Sequence, residues 1–303
     1  MESYLPAVWR ASIGSKSPSL CNRRAVDVTN SRVLIFVHIP KTAGTTFRRV
    51  LERQYSADEV LPLYESELGK ELASIPPAQM NRLRVVLGHF YFGAHAFIPR
   101  PSTYVTFLRD PVDRVLSHYY FVRQSPEHEF HEFARQLNLS EFLAYCSRST
   151  HGRSDDDQTR QLAGECGKPS SQVEPAEMLL AAKRHLSEYF AAVGITEEFD
   201  RSLILMKRIL GWKRTLYTRQ NVTRGRPARH ALPENDLSAI YRYNKLDLEL
   251  YSYAAELFRE QVSAQGGALA RELQWFTKLN AAYETLGRLN ARISRPRRSS
   301  YRD

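Results

Sequence analysis

The stretch His38-Ile-Pro-Lys-Thr-Ala-Gly-Thr-Thr46 carries the residue types of an oxyanion-binding loop. Lys41 supplies a full positive charge, and Thr45 and Thr46 supply hydroxyl donors. Gly44 lets the backbone come close to a ligand. A helix beginning behind the loop leaves its first amides unpaired, with partial positive charge at that end, and this draws phosphate or sulfate. The spacing is not that of a Walker A loop, which runs Gly, four residues, then Gly-Lys-Ser/Thr. Here the lysine precedes the glycine, and Pro40 stands in place of the first glycine. No acidic residue follows on a strand to hold Mg²⁺, as phosphoryl transfer on such loops requires.

A second constellation lies in Tyr104-Val-Thr-Phe-Leu-Arg-Asp-Pro-Val-Asp-Arg-Val-Leu-Ser-His-Tyr119. Arg109 can fork onto an anion with paired hydrogen bonds. Ser117, two turns into the following helix, can reach the same anion from the side. The competing reading pairs Arg109 with Asp110 or Asp113 at the surface. Arg114 is a further, weaker candidate. A proton acceptor is also to be found among nine histidines. His89 ends the apolar run Arg84–Phe90, and in open α/β sheets ligands bind beyond the carboxyl ends of strands. His38 sits inside an apolar run and reads as structural; His95 and His118 are alternates.

Pro40-Lys-Thr-Ala-Gly-Thr-Thr46 resembles the 5′-phosphosulfate loop of sulfotransferases that use 3′-phosphoadenosine 5′-phosphosulfate (PAPS). The longer stretch Phe36–Phe47 resembles the heparan sulfate 2-O- and 6-O-sulfotransferase branch and its bacterial relatives. The resemblance implies PAPS as co-substrate, with no metal. Lys41, Thr42, Ala43, Gly44, Thr45 and Thr46 would hold the phosphosulfate, and Arg109 and Ser117 the 3′-phosphate that distinguishes PAPS from ATP. His89 would be the base, with Lys41 beside the leaving oxygen. Thr223, with Arg219 or Arg226, belongs to a basic loop that in the family folds over the nucleotide. Gln158 and Arg160, in Asp157-Gln-Thr-Arg-Gln-Leu-Ala-Gly164, are candidate contacts for acceptor or nucleotide. The acceptor implied is a hydroxyl, on a carbohydrate in that branch.

The elements that must position these residues follow from hydrophobic patterning. Val33–Ile39, Arg84–Phe90, Tyr104–Leu108 and Phe190–Ile195 are short apolar runs that read as buried strands. Thr45–Tyr55, Pro111–Arg123, Met178–Tyr189 and Glu197–Leu210 carry helical spacing, with Asp110 as N-cap and Pro111 at the first helical position. Residues 148–175 read as a long polar loop and 220–232 as a basic one. Two helical stretches, 234–264 and 267–291, close the chain. Strands alternating with helices predict a three-layer α/β/α fold around a mainly parallel sheet. Residues 1–31 read as irregular, 32–265 as the catalytic domain, and 266–303 as a C-terminal helix with a basic tail.

The chain has 303 residues, 43% hydrophobic and 25% charged, enough for a core without staples. Its formal net charge of +10 favours anionic partners without choosing among them. Cys21, Cys146 and Cys166 fit neither a disulfide framework nor a zinc site, and read as reduced thiols; a Cys146–Cys166 bridge is the alternative in a secreted chain. With no signal-peptide or membrane-spanning run, the expectation is a cytoplasmic enzyme. No combined aromatic and basic motif points to nucleic acid. The stripe Leu269, Leu273, Phe276, Leu279, Tyr283, Leu286 packs on its own core or forms a homodimer seam. Two other readings remain at this stage: a kinase using ATP and Mg²⁺, and a non-catalytic binder of polyanions.

Overall fold

The computed structural model describes residues 32–64, 68–148, 155–164, 174–219 and 225–293. Among them, five strands form one parallel sheet. These are β1 (Val33–Val37), β2 (Val60–Leu63), β3 (Val85–Gly88), β4 (Ser102–Leu108) and β5 (Phe190–Ile195), in the order β2-β3-β1-β4-β5. Leu34 lies opposite Val85, and Ile35 opposite Tyr104, so β1 is central. Every residue of β1 and β3 is buried. A strand buried on both sides needs cover on both, and helices supply it, giving the α/β/α layers expected from the sequence.

α1 (Gly44–Leu51) follows β1, and α2 (Leu68–Ser74) and α3 (Pro77–Arg82) lead from β2 to β3. Between β4 and β5 come α4 (Pro111–Gln124), α5 (His131–Gln136), α6 (Leu139–Cys146), α7 (Asp157–Ala163) and α8 (Pro175–Glu188). Beyond β5 lie α9 (Phe199–Leu210), α10 (Glu234–Tyr243), α11 (Lys245–Ser263) and α12 (Gly266–Ile293). One core surrounds the sheet. A second joins α4, α5, α6 and α10 through Leu116, Phe142 and Ile240, and the Cys146 side chain is buried in it. Cys21 and Cys166 lie outside the described residues.

The structure departs from the sequence reading in several places. The first strand ends at Val37, two residues early, although the His38 amide still donates to the Gly88 carbonyl at 2.9 Å. β2 was not foreseen. It is a half-exposed edge strand containing Pro62, and proline is tolerated only at such edges, so Val-Leu-Pro-Leu lacks a buried strand's signature. The polar stretch 148–175 contains α7. The single helix expected over 234–264 breaks at Asn244, whose Nδ2 donates to the Ile240 carbonyl at 3.1 Å and closes α10.

α7 and α11 begin by capping each other. Asp156 accepts the amides of Leu246 (2.8 Å) and Asp247 (3.0 Å). Asp247 in turn accepts those of Gln158 (3.2 Å) and Thr159 (2.8 Å). Caps exchanged between distant segments are invisible to local sequence rules. Arg114, a weaker anion candidate, is consumed here: it is 1% exposed and paired with Asp157 at 3.1 Å and Asp247 at 3.8 Å.

The apolar stripe of α12 divides. Leu269 and Phe276 are buried against the body, whereas Leu279, Tyr283 and Leu286 are exposed, as is Trp275 beside the stripe. No helix among the described residues is long and apolar enough to cross a membrane.

Candidate active site

A cleft of about 820 Å³ opens at the carboxyl ends of the strands, where open α/β sheets bind ligands. The strand order sets the order of chemical groups along it. β3 delivers His89, central β1 delivers the loop Lys41–Thr46, β4 delivers Arg109, and β5 delivers Thr196 and the residues after it. A histidine, an anion loop and a guanidinium therefore stand side by side, although far apart in sequence.

The loop is shaped for an anion. Lys41 (φ 69°) and Ala43 (φ 65°) adopt left-handed backbone, at a cost of about 1–2 kcal/mol for each non-glycine residue. Such kinks gather successive amides into one anion-binding concavity. Ala43 is the N-cap of α1 and offers no side-chain cap, so nothing in the cap residue competes with an anion for the first-turn amides. Gly44 is required by contact: a Cβ there would lie 1.9 Å from the His38 ring. Thr45 and Thr46 line the cleft. Thr42, expected among the ligand contacts, is instead fully buried, and its hydroxyl donates to the Ile39 carbonyl at 2.8 Å. It locks the turn and does not face the cleft.

Lys41 stands with its Nζ 3.7 Å from the centre of the Phe121 ring. Burial and the nearby Arg109 bring its pKa down to about 8. It is still mostly charged at neutral pH, and an anion in the loop would raise its pKa again.

Arg109 donates from a guanidinium NH₂ to the Lys41 carbonyl at 3.0 Å, tying β4 to the loop. Its buried Nε meets no hydrogen-bond acceptor among the described residues; the nearest carboxylate oxygen, on Glu197, is 3.9 Å away. Burial and the neighbouring Arg226 lower its pKa. Two guanidiniums and Ser117 on one wall, with a buried donor to spare, suit a dianion. Arg226 is held by Asp113 at 3.1 Å. Thr223 lies outside the described residues.

His89 is fixed from behind. Its Nδ1 lies 2.6 Å from the His38 carbonyl. A carbonyl only accepts, so Nδ1 carries the proton and Nε2 is left as the acceptor. Burial, then Arg48 and Lys41, lower the pKa of His89 against the opposing effect of that hydrogen bond. The ring is therefore neutral at neutral pH. Gly88 makes the placement possible: a Cβ would meet the Leu63 carbonyl at 1.7 Å, and the His89 amide donates to that same carbonyl at 3.1 Å. His38, expected to be structural, is buried at the cleft wall, with its ring centre 4.3 Å from that of His89. His118 lines the cleft as well, yet burial holds its pKa near 3, too low for a useful base. His95 bonds Tyr104 through Nδ1 at 2.7 Å, away from the cleft.

Gln158 and Arg160, expected to touch a ligand, stand behind the wall. Gln158 is fully buried and grips the Arg109 backbone, accepting from its N–H at 3.0 Å and donating to its C=O at 3.0 Å. Arg160 pairs with Asp155 at 3.4 Å. The sequence reading also passed over Thr196, Phe199, Tyr217, Leu273 and Thr277, which line the cleft. Thr196 and Phe199 could have been found by the rule that found His89, since they follow a strand's carboxyl end. Leu273 and Thr277 carry no local signal.

The sulfotransferase family model matches residues 24–254. The chain belongs to the sulfotransferase family. Heparan sulfate 2-O-sulfotransferase hst-2 of Caenorhabditis elegans is 26% identical over 260 residues, 76% of this chain and 79% of that one. Human galactose-3-O-sulfotransferase 3 is 28% identical over 271 residues, 79% of this chain but only 60% of the relative's length. The solved structure of mouse sulfotransferase SULT7A1 complexed with PAP aligns with a TM-score of 0.37 at 12% identity, covering 85% of this chain and 88% of that one. As a sulfotransferase, the chain needs a site for an anionic sulfuryl donor and a base for the acceptor. The Lys41–Thr46 loop and His89 have the chemistry for both.

Proposed function

We propose that this sulfotransferase moves the sulfuryl group of PAPS to a hydroxyl of a carbohydrate. The observation that carries the reading is the order of groups along the cleft: base, anion loop, then the Arg109 and Arg226 guanidiniums with Ser117. A nucleotide with phosphates on both its 3′- and 5′-carbons matches cationic groups delivered by two adjacent strands, and ATP, whose phosphates form one chain, does not. The carbohydrate acceptor is supported by the names of the relatives, which act on heparan sulfate and galactose.

PAPS supplies an activated sulfuryl group, and the residues supply the rest. His89 Nε2 takes the acceptor's proton as the hydroxyl oxygen bonds to sulfur. The bond from sulfur to the 5′-phosphate oxygen breaks, and Lys41 with the loop amides takes up the charge left there. Arg109, Arg226 and Ser117 hold the 3′-phosphate and fix the donor in line. Pairing of two copies through the outer face of α12 is a separate proposal, read by light scattering.

The test is transfer of labelled sulfate from PAPS to a panel of desulfated glycosaminoglycans and galactosides. Labelling of a sugar hydroxyl by the wild type and none by His89→Ala is expected. Labelling of peptides or phenols alone would remove the carbohydrate from the proposal.

A further inference from the structure

The family match ends at residue 254, before α12 begins at Gly266. α12 nevertheless lines the cleft through Leu273 and Thr277. From this we infer that α12 is a working part of the donor site, clamping the nucleotide base and supporting the chain segment that forms the opposite wall. The inference rests on the donor being a 3′-phosphorylated nucleotide.

The position follows from the sheet. With the phosphosulfate at the β1 loop and the 3′-phosphate at the end of β4, the base, which branches from C1′ of the ribose, falls to the part of the cleft beside β5 that neither anion site occupies. The cleft there is walled by Phe199, Tyr217 and Leu273. Phe199 and Tyr217 pack edge to face with ring centres 4.9 Å apart, and the Tyr217 hydroxyl donates to Asp200 at 2.6 Å. Apolar walls suit the faces of a flat heteroaromatic ring.

α12 also holds the segment that carries Tyr217 and Arg219, which has no sheet or helix of its own. Asn280, 5% exposed, accepts the Tyr217 amide at 2.8 Å, and Glu284 accepts the Arg219 amide at 2.9 Å. The helix is in turn locked to α9. Glu272 takes Lys207 on one oxygen and Arg208, at 3.1 Å, on the other. Leu273 is thus a contact residue, and Asn280 a positioning residue acting through Tyr217.

Calorimetric titration of the full chain separates this from the broader reading. The probes are adenosine 3′,5′-bisphosphate and ribose 3,5-bisphosphate, which lacks the base. Leu273→Ala and Asn280→Ala should each weaken the nucleotide about tenfold and leave the base-free probe unchanged. Arg109→Ala should weaken both probes. Asn280→Asp, which keeps the accepting oxygen, should restore binding, and Trp275→Ala on the exposed face should change neither. Wild-type binding of the nucleotide by Leu273→Ala and Asn280→Ala overturns the inference. So does equal loss of both probes, which would mark general damage. A wild type that binds neither probe sinks the donor reading itself.

Discussion

Gly44→Ala sets two effects of opposite sign against each other. Alanine is the better helix former, by about 1 kcal/mol in a helix interior, and Gly44 opens α1, so propensity alone predicts a more stable protein. The new Cβ, however, would lie 1.9 Å from both Cδ2 and Nε2 of His38, far inside the 3.4–4 Å of ordinary contact. The ring must retreat by roughly 1.5 Å to regain that spacing. It has little room to do so. It stacks on Phe36 with ring centres 5.3 Å apart, bonds Tyr64 at 3.2 Å, and lies 4.3 Å from the His89 ring. Overpacking of this kind costs about 1–3 kcal/mol, so the clash outweighs the propensity gain and the variant melts lower. Because the His38 carbonyl orients His89, the displacement reaches the base proposed for the reaction; a misplacement near 1 Å is worth on the order of 10²-fold in turnover. Thermal melts with steady-state sulfate transfer measure both. A Gly44→Ala protein that melts at or above the wild type with unchanged kcat/KM would refute the packing argument.

Other consequences are equally open to measurement. His89→Gln should lower kcat by about 10²–10⁴-fold while binding of adenosine 3′,5′-bisphosphate stays at the wild-type level, checked by single-turnover assay and calorimetry. In the pH profile of kcat/KM, the acid limb should fall below the usual histidine pKa of 6.5, since His89 is lowered and must be neutral; the alkaline limb should lie near 8, where free Lys41 loses its proton. Bound donor anion raises the Lys41 pKa, so the alkaline limb of kcat should move upward, and a kcat/KM that stays flat well above pH 8 would contradict the role given to Lys41. Gln158→Leu removes both hydrogen bonds to the Arg109 backbone. It should cost about 1–3 kcal/mol of stability and weaken the 3′-phosphorylated nucleotide more than adenosine 5′-phosphate, as titration of each would show.

What could be read from the sequence was what is local in the chain. The loop Lys41–Thr46 lies between a strand and a helix that patterning alone reveals, and Arg109, Asp110 and Pro111 mark the same junction one strand over. Asp110 does cap α4, accepting the Asp113 amide at 3.1 Å. His89 was reachable because strand ends are where such sheets bind ligands. The failures are of another kind. Thr42 has the right type at the right spacing, but a single hydroxyl bond to Ile39 turns it inward. Gln158 looks like a ligand contact by position and is instead a brace for Arg109, across 49 residues of chain. β2 and the break at Asn244 depend on pairings and caps contributed by distant segments. Leu273 reaches the cleft only because α12 docks on α9, an event that no pattern within the helix announces.

The central claim is that the donor is a nucleotide defined by its 3′-phosphate. Thermal stabilisation by adenosine 3′,5′-bisphosphate, set against ATP with Mg²⁺, tests it most directly. A ligand at one hundred times its dissociation constant stabilises by about 2.7 kcal/mol, a shift easily seen in a melt. The account predicts stabilisation by the bisphosphate, none by ATP·Mg²⁺ at the same concentration, and loss of the effect in Arg109→Ala. Stabilisation by ATP·Mg²⁺ alone, or by neither, would contradict it.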